Sequence, residues 1–313
     1  MGKVTALQLC RFSDYLEGEL AKRFDVVRWF ALPAAQQQAW LAHFGGEVRA
    51  IVTGGHIGCS NHMMDMLPAL GIVTINGVGF DKVDLDHARA RGVGVTTTPG
   101  VLTEDVADLA VGLVISLLRR LPASDTHVRA GKWPKEDMPL SRKVSGRRFG
   151  IVGLGKIGVC IASRLVPFGS VAYTGPAEKR GPYPFYADIL SLAREVDVLI
   201  VACSAKAGTR HLIGAPVLNA LGPSGYLINV ARGSLVDEQA LIEALAQDRL
   251  AGAALDVFEN EPHVSEALRA SDRVILSPHI ASATQETRMR MADLVLENLD
   301  AFLAGLPLPT ALP

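Results

Sequence analysis

The chain has few cysteines, and none of them belongs to a pattern typical of a disulfide framework or a zinc site. Its 313 residues contain four, which are widely separated and include no Cys-x-x-Cys pair. They are Cys10, Cys59, Cys160 and Cys203. Disulfide-rich secreted domains and zinc modules need closely spaced cysteines. The sequence therefore favours a reducing, cytoplasmic location, and we expect no metal.

The chain also lacks the charge runs and apolar runs that mark nucleic-acid and membrane proteins. Its formal net charge is −1, and no run of lysine and arginine is long enough to attract a phosphate backbone. The longest apolar stretch, residues 106–118, is interrupted by Asp108 and is far shorter than the roughly 20 residues that span a bilayer. We therefore expect neither a nucleic acid nor a membrane as a partner, and we predict a buried helix over 106–118.

What the chain does contain is the composition of a globular protein and an alternation of strands and helices. Hydrophobic residues make up 49% of it, and its length exceeds what one core organises, so we expect two domains. Short β-branched runs alternate with segments rich in alanine and leucine, which indicates parallel sheets with crossover helices. The predicted strands are 48–53, 72–75, 93–97, 149–152, 170–174, 198–202, 227–230 and 274–276.

A helix that begins at Thr103 interrupts the alternation of strands and helices. The alternation starts again at Arg148. We therefore place one domain at 99–283 and a second, made from both termini, at 1–98 plus 284–313. The last segment, 284–303, has helical periodicity.

A glycine-rich turn follows the apolar strand 149–152 directly and precedes an apolar helix pattern. In a dinucleotide-binding turn, the first glycine makes the tight turn, the second admits the pyrophosphate, and the third lets helix and strand pack closely. The helix N-terminus then faces the phosphates. We predict that 99–283 binds a dinucleotide, although glycines also occur in ordinary strand-to-helix turns. The residues of this turn are Gly153, Leu154, Gly155, Lys156, Ile157 and Gly158.

The strand after this turn ends at Thr174 without the carboxylate that binds the ribose 2′-hydroxyl of NAD. Lys179 and Arg180 are close enough in sequence to neutralise a 2′-phosphate. NADP(H) is therefore favoured and NAD(H) is possible. In the alternative interpretation these cations belong to a solvated loop, and Glu178 weakens their positive field.

Three polar residues follow predicted strands late in the chain, at the sheet edge where open α/β sheets bind ligands. His279 suits proton donation because imidazole titrates near neutral pH. Glu261 suits its support, since a nearby carboxylate stabilises the imidazolium. Arg232 offers a planar, permanently charged group for a carboxylate. Each residue alone has a structural alternative, so the prediction depends on their combination.

An ordered series of segments, spread over nearly the whole chain, resembles the D-isomer-specific 2-hydroxyacid dehydrogenase family. Within that family, Leu102-Thr103-Glu104-Asp105-Val106-Ala107-Asp108-Leu109 is most similar to the glyoxylate/hydroxypyruvate reductases and the related plant hydroxyphenylpyruvate reductases. The matching segments are 77–81, 98–109, the glycine turn, 229–237, 255–262 and 277–282.

The resemblance implies an α/β protein of two doubly wound parallel-sheet domains, with a Rossmann cofactor domain inserted in a flavodoxin-like substrate domain. It implies that Arg232, Glu261 and His279 are catalytic and that Asp256 binds the nicotinamide carboxamide. Family members are usually homodimers, so we expect one here. The substrate-binding residues that it implies are Gly54, Gly55, Val78 and Gly79 with Arg232 and His279. The further cofactor-binding residues are Thr103, Thr174, Lys179, Arg180, Cys203, Val230, Ala231 and Ala281.

The chain departs from many NADP-using relatives at Gly175-Pro176-Ala177, where those proteins have a basic or hydroxyl-bearing cluster. The loop 53–58 is uncharged apart from His56, which disfavours a phosphorylated substrate. Hydroxypyruvate and glyoxylate are our first choice, reduced to the D-2-hydroxy acid, with pyruvate and bulkier aryl pyruvates behind. Two alternatives stay open: a nucleotide-sensing regulatory protein of the same fold, and a dehydrogenase of formate or phosphite.

Overall fold

The computed structural model describes residues 2–206 and 208–313. The chain divides into two compact units, the first comprising the residues up to Leu102 with Ala283–Pro313 and the second comprising Thr103–Ser282. Among the described residues, no helix combines the length and the apolar character that crossing a membrane requires. The same residues contain no group of three or more histidine, cysteine or carboxylate side chains suited to a metal ion.

The first unit is built on a five-stranded parallel sheet. Valine and isoleucine dominate its inner strands, which suit a sheet that is buried on both faces. The strand order is β2-β1-β3-β4-β5, the flavodoxin-like order. The strands are β1 (Val4–Gln8), β2 (Phe24–Arg28), β3 (Val48–Gly54), β4 (Ile72–Asn76) and β5 (Gly94–Thr96).

Helices of the first unit start at side-chain caps that satisfy otherwise unpaired amides. Ser13, Ser60 and Asp84 each accept a hydrogen bond from a backbone amide of the helix that follows. The helices are α1 (Asp14–Arg23), α2 (Ala34–Phe44), α3 (Asn61–Asp65) and α4 (Leu85–Ala90).

The second unit contains a seven-stranded parallel sheet. Its order, β12-β11-β10-β9-β6-β7-β8, is the Rossmann order extended by one strand. The strands are β6 (Arg147–Val152), β7 (Gly169–Thr174), β8 (Phe185–Tyr186), β9 (Val198–Val201), β10 (Tyr226–Asn229), β11 (Gly252–Leu255) and β12 (Val274–Leu276). The helices are α5 (Thr103–Arg119), α6 (Leu121–Arg129), α7 (Lys156–Leu165), α8 (Ile189–Glu195), α9 (Ala215–Leu221), α10 (Glu238–Ala246) and α11 (Glu266–Ala270).

The last helix, α12 (Gln285–Ala304), belongs to the first unit and packs against α1 and β4. Thr284 caps its start by accepting a hydrogen bond from the Thr287 amide at 3.2 Å. Gly305 ends it in the left-handed conformation that a helix C-terminus favours. The predicted α/β fold with two parallel sheets is confirmed.

Candidate active site

The glycine turn of the second unit connects β6 to α7. Gly153 has φ +96°, and a Cβ at this position would lie 2.6 Å from the Cα of Cys203. A Cβ on Gly158 would overlap the carbonyl oxygen of Gly153. Only glycine therefore fits the first position, which turns the chain, and the third, where helix and strand approach closely.

The middle glycine lies at the start of α7 and faces open space. Gly155 is the N-cap residue of α7, and no side chain caps this helix. A Cβ added at Gly155 would meet no heavy atom within 4 Å. The amides of the first helical turn therefore lack a side-chain acceptor. A pyrophosphate fits such a position because the helix dipole and the amides both favour an anion. The residues present thus suit a dinucleotide cofactor.

The loop after β7 places a lysine against this turn. The Lys179 ammonium donates to the Leu154 carbonyl at 2.7 Å. The Tyr173 hydroxyl accepts from the Lys179 amide at 2.6 Å and lies 3.2 Å from its carbonyl oxygen. Both Lys179 and Arg180 are exposed, and the bond to Leu154 places the positive charge of Lys179 beside the glycine turn. Thr174, at the end of the strand, is buried.

Two of the three predicted catalytic residues form a hydrogen-bonded pair within the second unit. His279 Nδ1 lies 2.8 Å from Glu261 Oε2, and Glu261 Oε1 accepts from the Phe258 amide at 3.0 Å. The His279 side chain is 36% exposed and that of Glu261 is 23% exposed, so the pair is reachable yet partly desolvated. An imidazole whose Nδ1 faces a carboxylate can carry its exchangeable proton on Nε2.

His279 adopts a left-handed backbone conformation, with φ +53°. Such a conformation costs a non-glycine residue about 1–2 kcal/mol, so the surroundings must impose it. Asp256 does so: its carboxylate accepts from the Ser277 hydroxyl at 2.7 Å and from the amides of Ile280 and Ala281 at 2.9 and 3.0 Å. Its carbonyl also accepts from the His279 amide at 2.8 Å.

Asp256 is fully buried and makes all these bonds to the loop that carries the histidine. In the structure its carboxylate therefore shapes the His279 loop. Its predicted bond to the nicotinamide stays a prediction, as do the cofactor contacts of Thr103, Val230, Ala231 and Ala281. Burial raises the pKa of the Cys203 thiol to about 11, so this predicted cofactor neighbour is a neutral thiol.

Arg232 follows β10 in a turn that a buried asparagine holds. The Asn229 side chain donates to the Arg232 carbonyl at 2.9 Å and accepts from the Ala231 amide at 3.1 Å. The Arg232 guanidinium donates to the Ala231 carbonyl at 2.7 Å. Sequence reasoning assigned no role to Asn229 or Ser277, although a polar residue at the end of a buried strand is the signal that could have identified both.

The predicted substrate loops lie in the first unit, after β3 and β4. A Cβ on Gly55 would lie 2.6 Å from the carbonyl oxygen of Gly79, so glycine allows the two loops to pack closely. Among the residues that the structure describes, no backbone carbonyl accepts from the amides of Gly55, Val78 and Gly79. Backbone amides of this kind can bind a carboxylate.

The sequence of this chain is similar to the sequences of proteins from a known family. Residues 111–281 match the family model of the D-isomer specific 2-hydroxyacid dehydrogenase, NAD binding domain. A glyoxylate/hydroxypyruvate reductase of Arabidopsis thaliana is 45% identical over 312 residues, and the alignment covers 99% of both chains. A hydroxyphenylpyruvate reductase of Plectranthus scutellarioides is 46% identical over the same length, again with 99% of both chains covered.

Solved structures agree over the whole chain. A 2-hydroxyacid dehydrogenase from Ketogulonicigenium vulgare superposes with a TM-score of 0.92 at 44% identity, covering 100% of this chain and 99% of that one. An NADPH-dependent glyoxylate/hydroxypyruvate reductase from Sinorhizobium meliloti, solved with NADP and malonate, gives a TM-score of 0.89 at 40% identity, covering 99% and 97%. The chain therefore belongs to the D-isomer-specific 2-hydroxyacid dehydrogenase family.

Proposed function

We propose that this protein reduces a small 2-oxo acid, hydroxypyruvate or glyoxylate, to the D-2-hydroxy acid with NAD(P)H. The observation that carries the proposal is the His279–Glu261 pair, held on a strained loop beside the carboxyl ends of the parallel strands.

When bound, the reduced nicotinamide supplies a hydride to the carbonyl carbon. His279 donates its Nε2 proton to the oxygen that becomes the hydroxyl group, while Glu261 stabilises the imidazolium through Nδ1. Arg232 binds the carboxylate and polarises the carbonyl. The amides of Gly55, Val78 and Gly79, with the Gly54 loop, bind the carboxylate through backbone donors.

We infer that NADP(H) is the preferred cofactor. Lys179 places a cation beside the glycine turn, and β7 ends in Thr174 rather than in a carboxylate that would repel a 2′-phosphate. The relative from Sinorhizobium meliloti, which is described as NADPH-dependent, supports the same choice.

Two relatives differ in the substrates that their names state. The Arabidopsis protein is named for glyoxylate and hydroxypyruvate, and the Plectranthus protein for hydroxyphenylpyruvate. Bulkier aryl pyruvates are therefore the second candidate. The exposed apolar side chains of Ile57, Val78 and Phe80 on the loops of the first unit favour it, since they could contact an aromatic ring.

We further propose a homodimer. In the isolated chain the segment 121–140 exposes four large apolar side chains, a feature typical of an interface. They are Leu121, Val128, Trp133 and Leu140. The cytoplasmic location stays a prediction, which the four free cysteines support.

Steady-state kinetics test the proposed reaction. Glyoxylate, hydroxypyruvate, pyruvate and phenylpyruvate are each assayed with NADPH and with NADH, for the parent enzyme and for His279→Ala. We expect kcat to fall by at least the ~10²-fold typical of a lost general acid, while NADPH binding measured by fluorescence is kept. His62→Ala, which removes an exposed histidine of α3, is the control. Absence of turnover with every oxo acid, or near-normal turnover by His279→Ala, would refute the proposal.

A further inference from the structure

Two further carboxylates, Glu238 and Glu259, lie near the His279–Glu261 pair in the second unit. Glu238, the first residue of α10, accepts a hydrogen bond from the Glu259 amide at 2.7 Å through Oε1. Glu259 stands two residues before Glu261, in the turn that positions the carboxylate facing His279. Glu238 therefore holds the backbone of that turn from the side of α10.

The other side of the turn is held by the loop after β9. Glu259 Oε1 lies 2.6 Å from His211 Nε2 and 2.9 Å from an Arg210 guanidinium nitrogen. His211 Nδ1 in turn lies 3.8 Å from Asp237 Oδ2. Glu259 thus has a guanidinium and an imidazole as partners, whereas among the described residues the Glu238 carboxylate accepts only from a backbone amide.

Glu238 occupies a position that disfavours its own charge. Burial raises the pKa of its carboxyl, the bond from the Glu259 amide acts in the opposite direction, and the charges of Glu259 and Glu261 raise the pKa further. A half-buried acid without a cationic partner contributes little to stability, since desolvation opposes its ionisation. A group placed at such a cost beside a candidate catalytic pair is a candidate for a functional role.

We propose that Glu238 is a positioning residue for the His279–Glu261 pair. Its carboxylate fixes the Glu259 amide, and with it the turn that carries Glu261. The inference rests on the proposed function, in which His279 is the proton donor.

Two substitutions test this role. Glu238→Gln keeps an oxygen acceptor for the Glu259 amide. Glu238→Asp shortens the side chain by one methylene and so withdraws the acceptor from that amide. Glu243→Gln, on the same helix and exposed, is the matched control, because the Glu243 carboxylate accepts from the Gln239 side chain at 2.9 Å. Circular dichroism and thermal unfolding establish that each variant is folded.

The first readout is the division between kcat and KM for oxo acid reduction. In Glu238→Gln we expect kcat to stay within about twofold of the parent, because the amide oxygen still accepts from the Glu259 amide. In Glu238→Asp we expect kcat to fall at least about threefold with KM for the cofactor unchanged, because the turn that carries Glu261 is held less well.

The second readout is independent of turnover. Hydrogen exchange of the Glu259 amide is followed by NMR on the enzyme without ligands. This amide should exchange faster in Glu238→Asp than in the parent, and at the parent rate in Glu238→Gln and in Glu243→Gln. Folded Glu238→Asp with the kcat and the Glu259 exchange rate of the parent would overturn the inference. If Glu238→Asp does not fold, a fall of at least about threefold in kcat for folded Glu238→Gln would overturn it.

The two proposals fail in different ways. If His279→Ala keeps near-normal turnover, the proposed proton donor is wrong, whatever the behaviour of Glu238. If His279→Ala is inactive and folded Glu238→Asp matches the parent in kcat and in Glu259 exchange, only the role of Glu238 is wrong.

Discussion

At Gly233 the absence of a side chain allows the turn after Arg232 to lie against the turn that carries Glu261. A Cβ at this position would overlap the carbonyl of Phe258 and the amide of Glu259. Both are backbone groups, which cannot rotate away as a side chain can. The glycine at position 233 thus allows the close approach of the two turns that carry Arg232 and Glu261.

Gly233→Ala should therefore displace one turn from the other. We expect kcat/KM to fall by ~10²-fold, the usual cost of a misplacement of about 1 Å, and the free energy of unfolding to fall by about 1–3 kcal/mol. Kinetics and urea unfolding measure the two effects. Gly18→Ala is the control, because Gly18 lies in α1 and a Cβ added there would meet no heavy atom within 4 Å. This substitution should leave the free energy of unfolding unchanged or raise it by up to ~1 kcal/mol. Unchanged activity of Gly233→Ala would show that the close approach of the two turns is not required.

Asp197 shows how one carboxylate links two strands of the second sheet. It accepts from the Arg148 amide and from the Arg148 guanidinium, both at 2.9 Å. Burial by itself raises the pKa of Asp197, but these hydrogen bonds outweigh it and lower the pKa below its usual value. The stability that the carboxylate contributes is therefore present above the pKa of the unfolded state, near 3.8, and is lost as pH falls through the folded value.

Asp197→Asn should lower the free energy of unfolding at pH 7 by about 1–2 kcal/mol, the size of a hydrogen bond to a charged group. The difference from the parent should shrink as pH falls below about 4, where the parent carboxylate also becomes protonated. Urea unfolding at pH 7 and at low pH measures both values. Glu195→Gln removes an exposed acid 3.9 Å from Arg148 and should have almost no effect. A difference that does not change with pH would contradict this account.

Among the elements of the second unit, the loop after β7 is the one that we propose sets the choice between NADPH and NADH. Lys179 is tied to the Leu154 carbonyl of the glycine turn, so its removal disturbs the turn as well as the charge. Arg180 is exposed, so its removal changes only the charge. We therefore expect the removal of Lys179 and the removal of Arg180 to change KM for NADPH and KM for NADH in different ways.

Arg180→Ala should raise KM for NADPH several-fold and leave KM for NADH unchanged, because only the former carries the 2′-phosphate. Lys179→Ala should raise both values, that for NADPH more. Glu178→Ala removes the neighbouring acid and should leave KM for NADPH unchanged or lower it. Initial-rate kinetics with both cofactors provide the comparison, and equal changes for the two in Arg180→Ala would show that this charge does not read the phosphate.

Most elements could be predicted from hydrophobic periodicity. The strand 274–276 coincides with β12, and the helix predicted over 284–303 is observed as Gln285–Ala304. The predicted strands did not include β1, β2, β8 and β11. β2 has Asp25 and Arg28 among its apolar residues and β8 has only two residues, so neither shows the continuous apolar run of a buried strand. β11 contains glycine and alanine in place of the β-branched residues that are typical of strands.

At the scale of the whole molecule, the apolar segment 121–140 has no cover in the single chain. Trp133 is 69% exposed and Leu140 is 97% exposed. An exposure of this size is unfavourable in a monomer, and the proposed homodimer would bury it.

The double variant Trp133→Ser/Leu140→Ser should therefore weaken self-association. We expect the parent to sediment at about twice its chain mass of 33.3 kDa, and the variant to show a dimer Kd at least ~10-fold higher, since large aromatic and aliphatic contacts dominate interfaces. Analytical ultracentrifugation over a dilution series measures this. Leu306→Ser, which removes another exposed apolar side chain, should not change the Kd. A monomeric parent would refute the homodimer.

The sequence alone determined the family, the α/β fold and the glycine turn, because these depend on periodicity and on residue types at fixed local spacing. It also indicated Arg232, Glu261 and His279 by their chemistry. The contact between Glu261 and His279 depends on the tertiary structure. β11 and β12 are neighbouring parallel strands, and their carboxyl ends bring together residues that are distant in sequence. The same holds for Glu238, which in sequence is an ordinary acid at a helix start. Its place behind the pair depends on how α10 packs, a long-range contact that no local pattern encodes.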